Sequence, residues 1–439
     1  MSEPTVGVVV VNYNGGDLTV ECLHSVVRTE WPAAKLRVLL VDNASHDDVV
    51  GRVRAELPVV RVLERSSNDG FGAGCNAGIR ALTDVDFVAL VNNDATVDPS
   101  WLRPLVETLQ RAELLGAACP KIVFAGRFRD VELRSATARR GFGDQRDLGV
   151  FVAGARVDCE DVWSRVQLVD GTWGLEPNAA TGGEWTGPSA HLRVPAPDDG
   201  APTTVSLLLS ADSPRAVSLA TEGASVEHTV TPEPAWYDVP ATGGSITVVN
   251  NVGTDLLEDG FAVDRGYLEP DDGRFDTPTD VFAWCGAGVL LRREYLDDVG
   301  LFDEDLFLYC EDLELAWRGR ERGWRYRSVP ESIVRHVHAA SSGRGSSLKQ
   351  FYDERNRLLV LARHGTPAES AVAALRSVLV TASYARRDVL APVLAGRSPR
   401  PDVAWRRLRA CAAFASRFPT ALAQRRRDHS APRATAGDD

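Results

Sequence analysis

Phe87-Val88-Ala89-Leu90-Val91-Asn92-Asn93-Asp94-Ala95-Thr96-Val97-Asp98 is an apolar run that stops abruptly at two amides and a carboxylate. A strand covered on both faces reads as such a run, and its polar end delivers Asn92, Asn93 and Asp94 to the rim of a sheet, where α/β proteins bind ligands. Carboxylate and amide oxygens side by side are hard ligands, suited to Mg²⁺ or Mn²⁺ that also holds a diphosphate. Taken alone, a strand running into an Asx-rich turn is the commoner explanation. The neighbouring segments reverse that.

Upstream, Val6 to Val11 is a continuous β-branched run ending at Asn12-Tyr13-Asn14-Gly15-Gly16. Asp17 stands where it caps a helix carrying Leu18, Cys22 and Val26 on one face. Arg37 to Val41 ends at Asp42-Asn43-Ala44-Ser45, and Val59 to Leu63 ends near Asn68. Gly70-Phe71-Gly72-Ala73-Gly74-Cys75-Asn76-Ala77-Gly78 then opens another helix. Strands alternating with helices at this spacing predict a mostly parallel sheet with right-handed crossovers and helices on both faces. All four strand tips then lie on one edge, and that edge carries the ligand.

A chain of 439 residues is long enough for two or three domains, each with its own core. The formal net charge of −12 excludes a general nucleic-acid binder, which needs a basic field. Cys22, Cys75, Cys119, Cys159, Cys285, Cys310 and Cys411 are scattered, with no C-x-x-C pair, and read as reduced thiols of a cytosolic protein. The N-terminus lacks the basic and apolar regions of a signal peptide. No apolar stretch reaches the roughly 20 residues a spanning helix needs, so any membrane contact is expected to be peripheral.

Around Phe142 to Arg146 the texture changes. From Gln145 to Val263 short alternating runs replace the helical period: Arg165 to Val169, His191 to Val194, Thr203 to Leu209, Ser225 to Val230 and Ser245 to Val249. This predicts an antiparallel β-sandwich inserted into the α/β domain. At Asp264 the first texture returns. Val281 to Leu291 is apolar with small residues at its centre, and Leu301 to Asp312 leads into a helix ended by Gly323. Arg325 to Val329 and Ile333 to His338 read as short strands around Pro330, and Phe351 to Leu361 as a helix. From Arg397 to Arg427 nine arginines stand against one aspartate, interleaved with Leu408, Ala412, Phe414, Phe418 and Leu422. That pattern fits a basic amphipathic helix on an anionic membrane as well as a helical extension packed on the rest of the protein. The residues from about His429 read as disordered. The expected organisation is 1–144, the first half of an α/β domain; 145–263, the inserted sandwich; 264–365, the second half of the α/β domain; and 366–439, a helical basic extension.

The ordered motifs Val-Asn-Tyr-Asn-Gly-Gly, Val-Asp-Asn-Ala-Ser, Asn-Asp-Gly-Phe-Gly-Ala-Gly-Cys-Asn-Ala-Gly, Val-Asn-Asn-Asp, Cys-Gly-Ala-Gly and Tyr-Cys-Glu-Asp resemble a family-two inverting glycosyltransferase of the GT-A fold. The resemblance is to its rhamnosyltransferase-like and galactofuranosyltransferase-like branch, and it covers about residues 6 to 125 and 264 to 365. It implies a nucleotide-diphospho-sugar donor, a divalent cation (Mg²⁺ or Mn²⁺), and a glycan or lipid-linked acceptor in cell-envelope polysaccharide synthesis. The implied location is the cytoplasm or the inner membrane face.

It also implies site residues. Asp94 matches the end of the family's metal-binding D-x-D, with Asn92 standing where many relatives carry Asp, and His336 matches the histidine that completes the metal shell, His338 being its competitor. Asp42 matches the aspartate that reads the nucleobase. Asn12, Asn14, Asn43, Asn68, Gly72, Asn76, Asn92 and Asn93 fall on the nucleotide-sugar side. Arg355 and Asn356 match a Tyr-x-x-Arg-Asn helix whose guanidinium would hold diphosphate oxygens. Glu311 and Asp312 match the acidic pair, with Asp312 as the base; a helix start beside a second carboxylate is a setting that raises a pKa.

Three other readings compete. Gly72-x-Gly74-x-x-x-Gly78 imitates a dinucleotide fingerprint, but it follows the third strand rather than the first. A sugar-nucleotide pyrophosphorylase would need a basic, glycine-rich loop where Asn12 to Gly16 stands. A non-catalytic carbohydrate-binding protein would use Trp163, Trp173, Trp185 and Trp236 as stacking platforms; sandwich core is the plainer explanation for them.

Overall fold

The computed structural model describes residues 3–139, 146–175, 182–257, 261–337, 346–396 and 398–430. Strands β1 (Val6–Asn12), β2 (Leu36–Asp42), β3 (Arg61–Glu64) and β4 (Phe87–Asn92) pair in parallel in the order β3-β2-β1-β4. The chain therefore steps outward from β1 to β3 and returns to the other side of β1. That reversal is a topological switch point, and it opens a crevice at the carboxyl ends of β1 and β4.

Helices α1 (Gly16–Val27), α2 (Val49–Glu56) and α4 (Leu102–Gln110) cover one face, against Val6, Val8, Val10, Leu40, Ala89 and Val91. Helix α3 (Phe71–Ala81) covers the other face with α5 (Arg293–Val299) and α6 (Glu311–Glu321), against Val9, Val11, Leu39, Val41, Val88 and Leu90. Alternate residues of each run feed opposite layers, which is why the strands read as unbroken apolar runs. The glycines of α3 serve this packing: a Cβ on Gly78 would come within 2.5 Å of Val9 Cγ1, and one on Gly74 within 2.6 Å of Val11 Cγ1.

The sheet then becomes mixed. Beyond β5 (Ala95–Val97), strand β6 (Leu115–Phe124) is crossed by Gly126 into β7 (Arg127–Ser135), which already belongs to a second sheet. This sheet is antiparallel and adds β8 (Phe151–Val157), β9 (Glu160–Asp161), β10 (Gln167–Leu175), β11 (Glu184–Ala196), β12 (Thr203–Ser210), β13 (Arg215–Thr221), β14 (Ala224–Val230) and β15 (Ala235–Ala241). Its two layers come from one hydrogen-bonded sheet, β14-β13-β7-β11-β8-β12-β15, that folds over on itself. The ends meet where His228 lies 2.9 Å from the Asp238 carbonyl. Val131, Leu133, Leu192, Val205, Leu207 and Leu219 fill the interior, and buried Arg129 donates to the carbonyls of Gly200, Ala201, Ala241 and Gly243 and to Thr203 Oγ1.

Both edges of this sheet differ from the sequence expectation. Strand β7 precedes Gln145, a residue outside the described ones. The stretch Ser245 to Val249 is not a strand of the second sheet; it leads into β16 (Val249–Asn251), which pairs with β6 in the first. The outgoing and returning segments are tied together, Phe128 and Ile246 exchanging backbone hydrogen bonds of 2.9 and 2.8 Å.

After β17 (Thr254–Leu256) and β18 (Ala262–Asp264), β19 (Asp280–Val281) joins the far edge of the first sheet and β20 (Gly288–Arg292) inserts between β4 and β6. The apolar run Val281 to Leu291 is thus two strands with a turn between them. Conversely, the two strands expected around Pro330 are one, β21 (Arg325–His336), with an irregularity between Val329 and Ile333, where a proline cannot donate to the ladder. Helices α7 (Ser347–His364), α8 (Pro367–Ala385), α9 (Ala391–Leu394) and α10 (Asp402–Ser430) complete the chain. Among the described residues no helix is long and apolar enough to cross a membrane.

Candidate active site

The tips of β1 and β2 are locked by Asn12, which is fully buried. Its Nδ2 donates to Asp42 Oδ1 (2.9 Å) and Ser45 Oγ (3.0 Å), and its Oδ1 accepts from Thr19 Oγ1 (2.7 Å) and the Gly15 amide (3.1 Å). Asp42 Oδ2 accepts from the Ser45 amide, and Asn14, at positive φ, accepts from the His46 amide. Asn12 is therefore saturated by protein and sets the shape of the tip. Asn93 turns the same way, donating to Thr19 Oγ1 (3.0 Å) and Asn12 Oδ1 (3.3 Å). A side chain on Gly15 would collide with it, Asn93 Nδ2 being 2.1 Å from the Cβ position.

Asp94 faces His336 instead. Its Oδ1 lies 3.0 Å from His336 Nε2, and Asn92 Nδ2 is 3.5 Å from the same nitrogen. The pair is fixed from both sides, because the Val337 amide donates to the Asp94 carbonyl and His336 pairs with Ala95 in the β21–β5 ladder. His336 Nδ1 is 3.0 Å from Asn250 Oδ1. Donation from Nδ1 to that amide leaves Nε2, beside Asp94, as the nitrogen able to bind a cation. Among the described residues no group of three or more His, Cys, Asp or Glu forms a metal cluster. The donor set is a carboxylate, an imidazole and an amide, which suits a cation whose other positions are taken by diphosphate and water. His338 lies outside the described residues.

The third part of the edge is the start of α6. Phe307, Tyr309 and Cys310 all have positive φ, so the loop entering the helix is strained. The Tyr-x-x-Arg-Asn residues hold that loop. Asn356 Nδ2 reaches the carbonyls of Leu306, Leu308 and Tyr309 at 2.7 to 2.9 Å. Arg355 Nη2 donates to Asp305 and Leu306, and its Nε to Asn356. These two side chains are buried and directed at protein carbonyls, not at the donor crevice. Asn76 is likewise engaged with Phe302 and Glu304, Asn43 with Gly70 and Arg65, and Asn68 with the Gly70 amide. Gly72 is packed under Phe302, whose Cβ is 3.1 Å from its Cβ position.

What the strained loop delivers is Glu311 and Asp312. Asp312 Oδ2 accepts from the Gly286 amide (2.9 Å) and Oδ1 from the Leu313 amide (2.7 Å). The residue after Gly286 accepts from the Asn92 amide, 3.1 Å, so one short turn bridges the acidic pair to the tip of β4. Burial raises the Asp312 pKa, and the hydrogen bonds from Gly286 and Leu313 hold it back. Glu311 is buried and its Oε2 has no hydrogen-bond partner. Burial first, then the charges of Asp312 and Asp353, push its pKa up to about 8. Adjacent carboxyls do not both ionise easily, and with its pKa near 8 Glu311 keeps a proton at neutral pH. Asp264 and Asp353 also titrate above the ordinary range, each mainly through burial, Asp264 also through Asp312. Asn251 Nδ2 orients Asp264 at 2.7 Å.

Glu311 makes stability depend on pH. A carboxyl with a higher pKa folded than unfolded favours folding while protonated; the contribution is complete below about 4.5 and lost as pH rises through about 8. Glu311→Gln fixes the neutral form, so its stability relative to wild type should rise by at least about 2 kcal/mol between pH 5.5 and pH 9 in urea titrations. A gap that stays constant with pH would count against the buried protonated carboxyl.

Three of the four tryptophans are taken up by the protein: Trp185 is buried, Trp163 packs on the second core, and the Trp236 ring is covered by the Arg156 guanidinium 4.0 Å from its centroid. Trp173 is exposed, its Nε1 donating to the Asp147 carbonyl.

Residues 7–156 match the sequence profile of glycosyl transferase family 2, and residues 276–358 that of glycosyltransferase like family 2. The chain carries a glycosyltransferase family 2 domain. These two segments contain the strand tips and the acidic pair respectively. Among curated proteins the chain is 26% identical over 112 residues to an uncharacterized glycosyltransferase, MG060 homolog, of Mycoplasma pneumoniae, covering 25% of this chain and 38% of the relative. It is 27% identical over 109 residues to glycosyltransferase AglE of Haloferax volcanii, covering 24% and 36%. The match thus spans under two-fifths of the length of either relative. Among solved structures, it overlaps the mannosyltransferase PcManGT from Pyrobaculum calidifontis, in complex with GDP-Man and Mn²⁺, with a TM-score of 0.43 at 14% identity, over 98% of this chain and 86% of the other. Against GalNAc-T7 with UDP, GalNAc and Mn²⁺ the TM-score is 0.46 at 15% identity, over 82% and 48%.

Proposed function

We propose that the protein is an inverting glycosyltransferase that moves a sugar from a nucleoside-diphosphate donor to an acceptor hydroxyl. The observation that supports this best is the joining of two groups on one edge: the Asp94–His336 pair at the switch point, and the adjacent carboxyls at the start of α6, Asp312 held by the Gly286 and Leu313 amides and Glu311 buried beside it. Asp42, at the tip of β2, is the group for the nucleobase. Asp94 and His336 would hold a divalent cation, which when bound neutralises charge on the leaving diphosphate. Asp312 accepts the proton of the acceptor hydroxyl as that oxygen attacks the anomeric carbon. The bond from that carbon to the diphosphate breaks on the opposite face, and the configuration inverts. Gly286 and Leu313 amides aim the Asp312 carboxylate, while neutral Glu311 keeps a second negative charge away from it. Arg355 and Asn356 act through the loop that presents the pair, so they are positioning residues.

On this reading the first sheet holds the donor half, in residues 1–126, and the acceptor half, in residues 264–365. The curled sheet, which starts at Arg127 rather than Gln145, is an insertion between them, whose returning segment also contributes Asn250 and Asn251 to the site. The finer reading is a rhamnose- or galactofuranose-like donor and a glycan or lipid-linked acceptor of the cell envelope, met at the cytoplasmic face of the membrane. Hydrolysis and transfer assays with dTDP-rhamnose, UDP-galactofuranose and other nucleotide sugars, with Mg²⁺ or Mn²⁺, test it. Turnover of one donor that is lost on chelation is expected; silence across the panel would remove the transferase reading.

A further inference from the structure

Helix α8 is built inside out. It starts on a capping box, with Thr366 accepting from the Glu369 amide and Glu369 accepting from the Thr366 amide, and with Pro367 at its first position. The side chains it buries are small or polar: Ala373, Ser377 and Thr381, one turn apart, the last two against Cys411 of α10 at 3.4 and 3.8 Å. Its large aliphatics point the other way. Val372, Leu375, Val378 and Leu379 are 56 to 64% exposed and fall on one stripe at 100° per residue, opposite the buried stripe. Leu394 of α9 is 88% exposed and Trp405 at the start of α10 is 60% exposed. A packed helix ordinarily buries such residues, and a patch of this kind marks a binding surface.

Charge selects the occupant. From Thr366 to the C-terminus thirteen arginines stand against six carboxylates, in a chain whose total is −12. Arg376, Arg386, Arg387 and Arg400 are exposed beside the aliphatic stripe, with Asp388, which pairs with Arg387, as the nearest acid on that segment. A second copy docked through the same patch would bring like-charged rims together. An anionic lipid surface accepts both features, the aliphatics entering the acyl boundary and the arginines meeting headgroups, with an exposed Trp as interfacial anchor. We propose that the α8–α9 face docks the protein on an anionic membrane. The arginines of α10 are a less suitable surface, since several are engaged within the protein: Arg406 and Arg407 with Glu354, and Arg425 with the last carbonyls of α7.

This deepens the peripheral-membrane part of the proposed function, yet its test needs no sugar transfer. The full chain is sedimented with vesicles of phosphatidylcholine alone and of two parts phosphatidylcholine to one part phosphatidylglycerol, at low and high salt. Binding to the anionic vesicles, weakened by salt and by omission of phosphatidylglycerol, is expected, with at least about a tenfold loss in Leu375→Glu/Leu379→Glu. Both positions are exposed, so the variant should keep its thermal midpoint. Wild-type binding by the double variant would overturn the inference. So would a wild-type chain that ignores both vesicles, or one that forms a dimer dissociated by the two substitutions. A chain that binds vesicles but turns over no nucleotide sugar sinks the transferase reading and leaves this one standing.

Discussion

Asp312→Asn is expected to lower turnover by about a thousandfold or more while nucleotide binding changes by no more than a few-fold. The amide has nearly the shape of the carboxylate but cannot accept a proton from the attacking hydroxyl. It also keeps only one of the two backbone hydrogen bonds, because its NH₂ faces either the Gly286 or the Leu313 amide. That costs about 1 kcal/mol of local stability, far too little to explain the loss of rate. On the proposed reading the nucleotide lies against the tips of β1, β2 and β4, where the hydrogen bonds among Asn12, Asp42, Thr19 and Asn93 do not involve Asp312. Glu311→Gln supplies the contrast: it already resembles the protonated state and should retain most activity at neutral pH. An Asp312→Asn variant with wild-type turnover, or a pair of variants equally impaired, would refute the division of roles.

The donor half of the fold was legible because local pattern and tertiary role coincide there. Val6 to Val11 and Phe87 to Val91 are apolar on both faces, since helices cover both, and each ends where the ladder ends. The second sheet was legible in kind but not in extent. Arg127–Ser135 alternates buried and open positions but follows β6 after only Ala125 and Gly126, so nothing in the local pattern separates it from the first sheet. Val249–Asn251 looks like one more short strand of the insertion, and only its pairing with β6 shows that it belongs to the first sheet.

The acidic pair and Asp94 were named by motif, and the structure places them on one edge. The direction of a donor group was not legible. Arg355 and Asn356 satisfy carbonyls 47 to 50 residues away, a demand created by the strained loop and invisible in the helix that carries them. Asn250 reaches His336 across 86 residues of sequence, and Asp264 and Asp353 acquire their raised pKa values mainly from burial, which the fold alone creates. The tail's arginines gave its charge but not its orientation. Phe414 turned out to pack with Leu359 and Trp317, and the outward aliphatics are on α8 instead.

Arg363→Ala is expected to destabilise the protein by roughly 3 to 5 kcal/mol, a fall in the thermal midpoint on the order of ten degrees. The guanidinium is buried among three carboxylates from three segments: Glu314 of α6 at 2.6 Å, Asp303 at 3.1 Å and Asp428 of α10 at 2.6 Å. Burial alone would raise the Glu314 pKa, but Arg318, His364 and Arg363 together pull it well below the carboxylate range, so it is charged in the folded state. Burial likewise opposes protonation of His364, and its hydrogen bonds to Glu314 and Glu321 more than offset that. Removing Arg363 leaves Arg318 and His364 to balance Glu314, and strips Asp303 and Asp428 of their shared cation. Arg363→Lys keeps the charge but not the fork that reaches several carboxylates, so an intermediate loss is expected. The lesion should free α10 first, read as faster tryptic cleavage after Arg425 to Arg427 than in wild type. Since Glu314 sits one turn beyond the Glu311–Asp312 pair, turnover should fall together with stability. An unchanged midpoint and an unchanged cleavage rate would show that the network does not hold α10 to the catalytic domain.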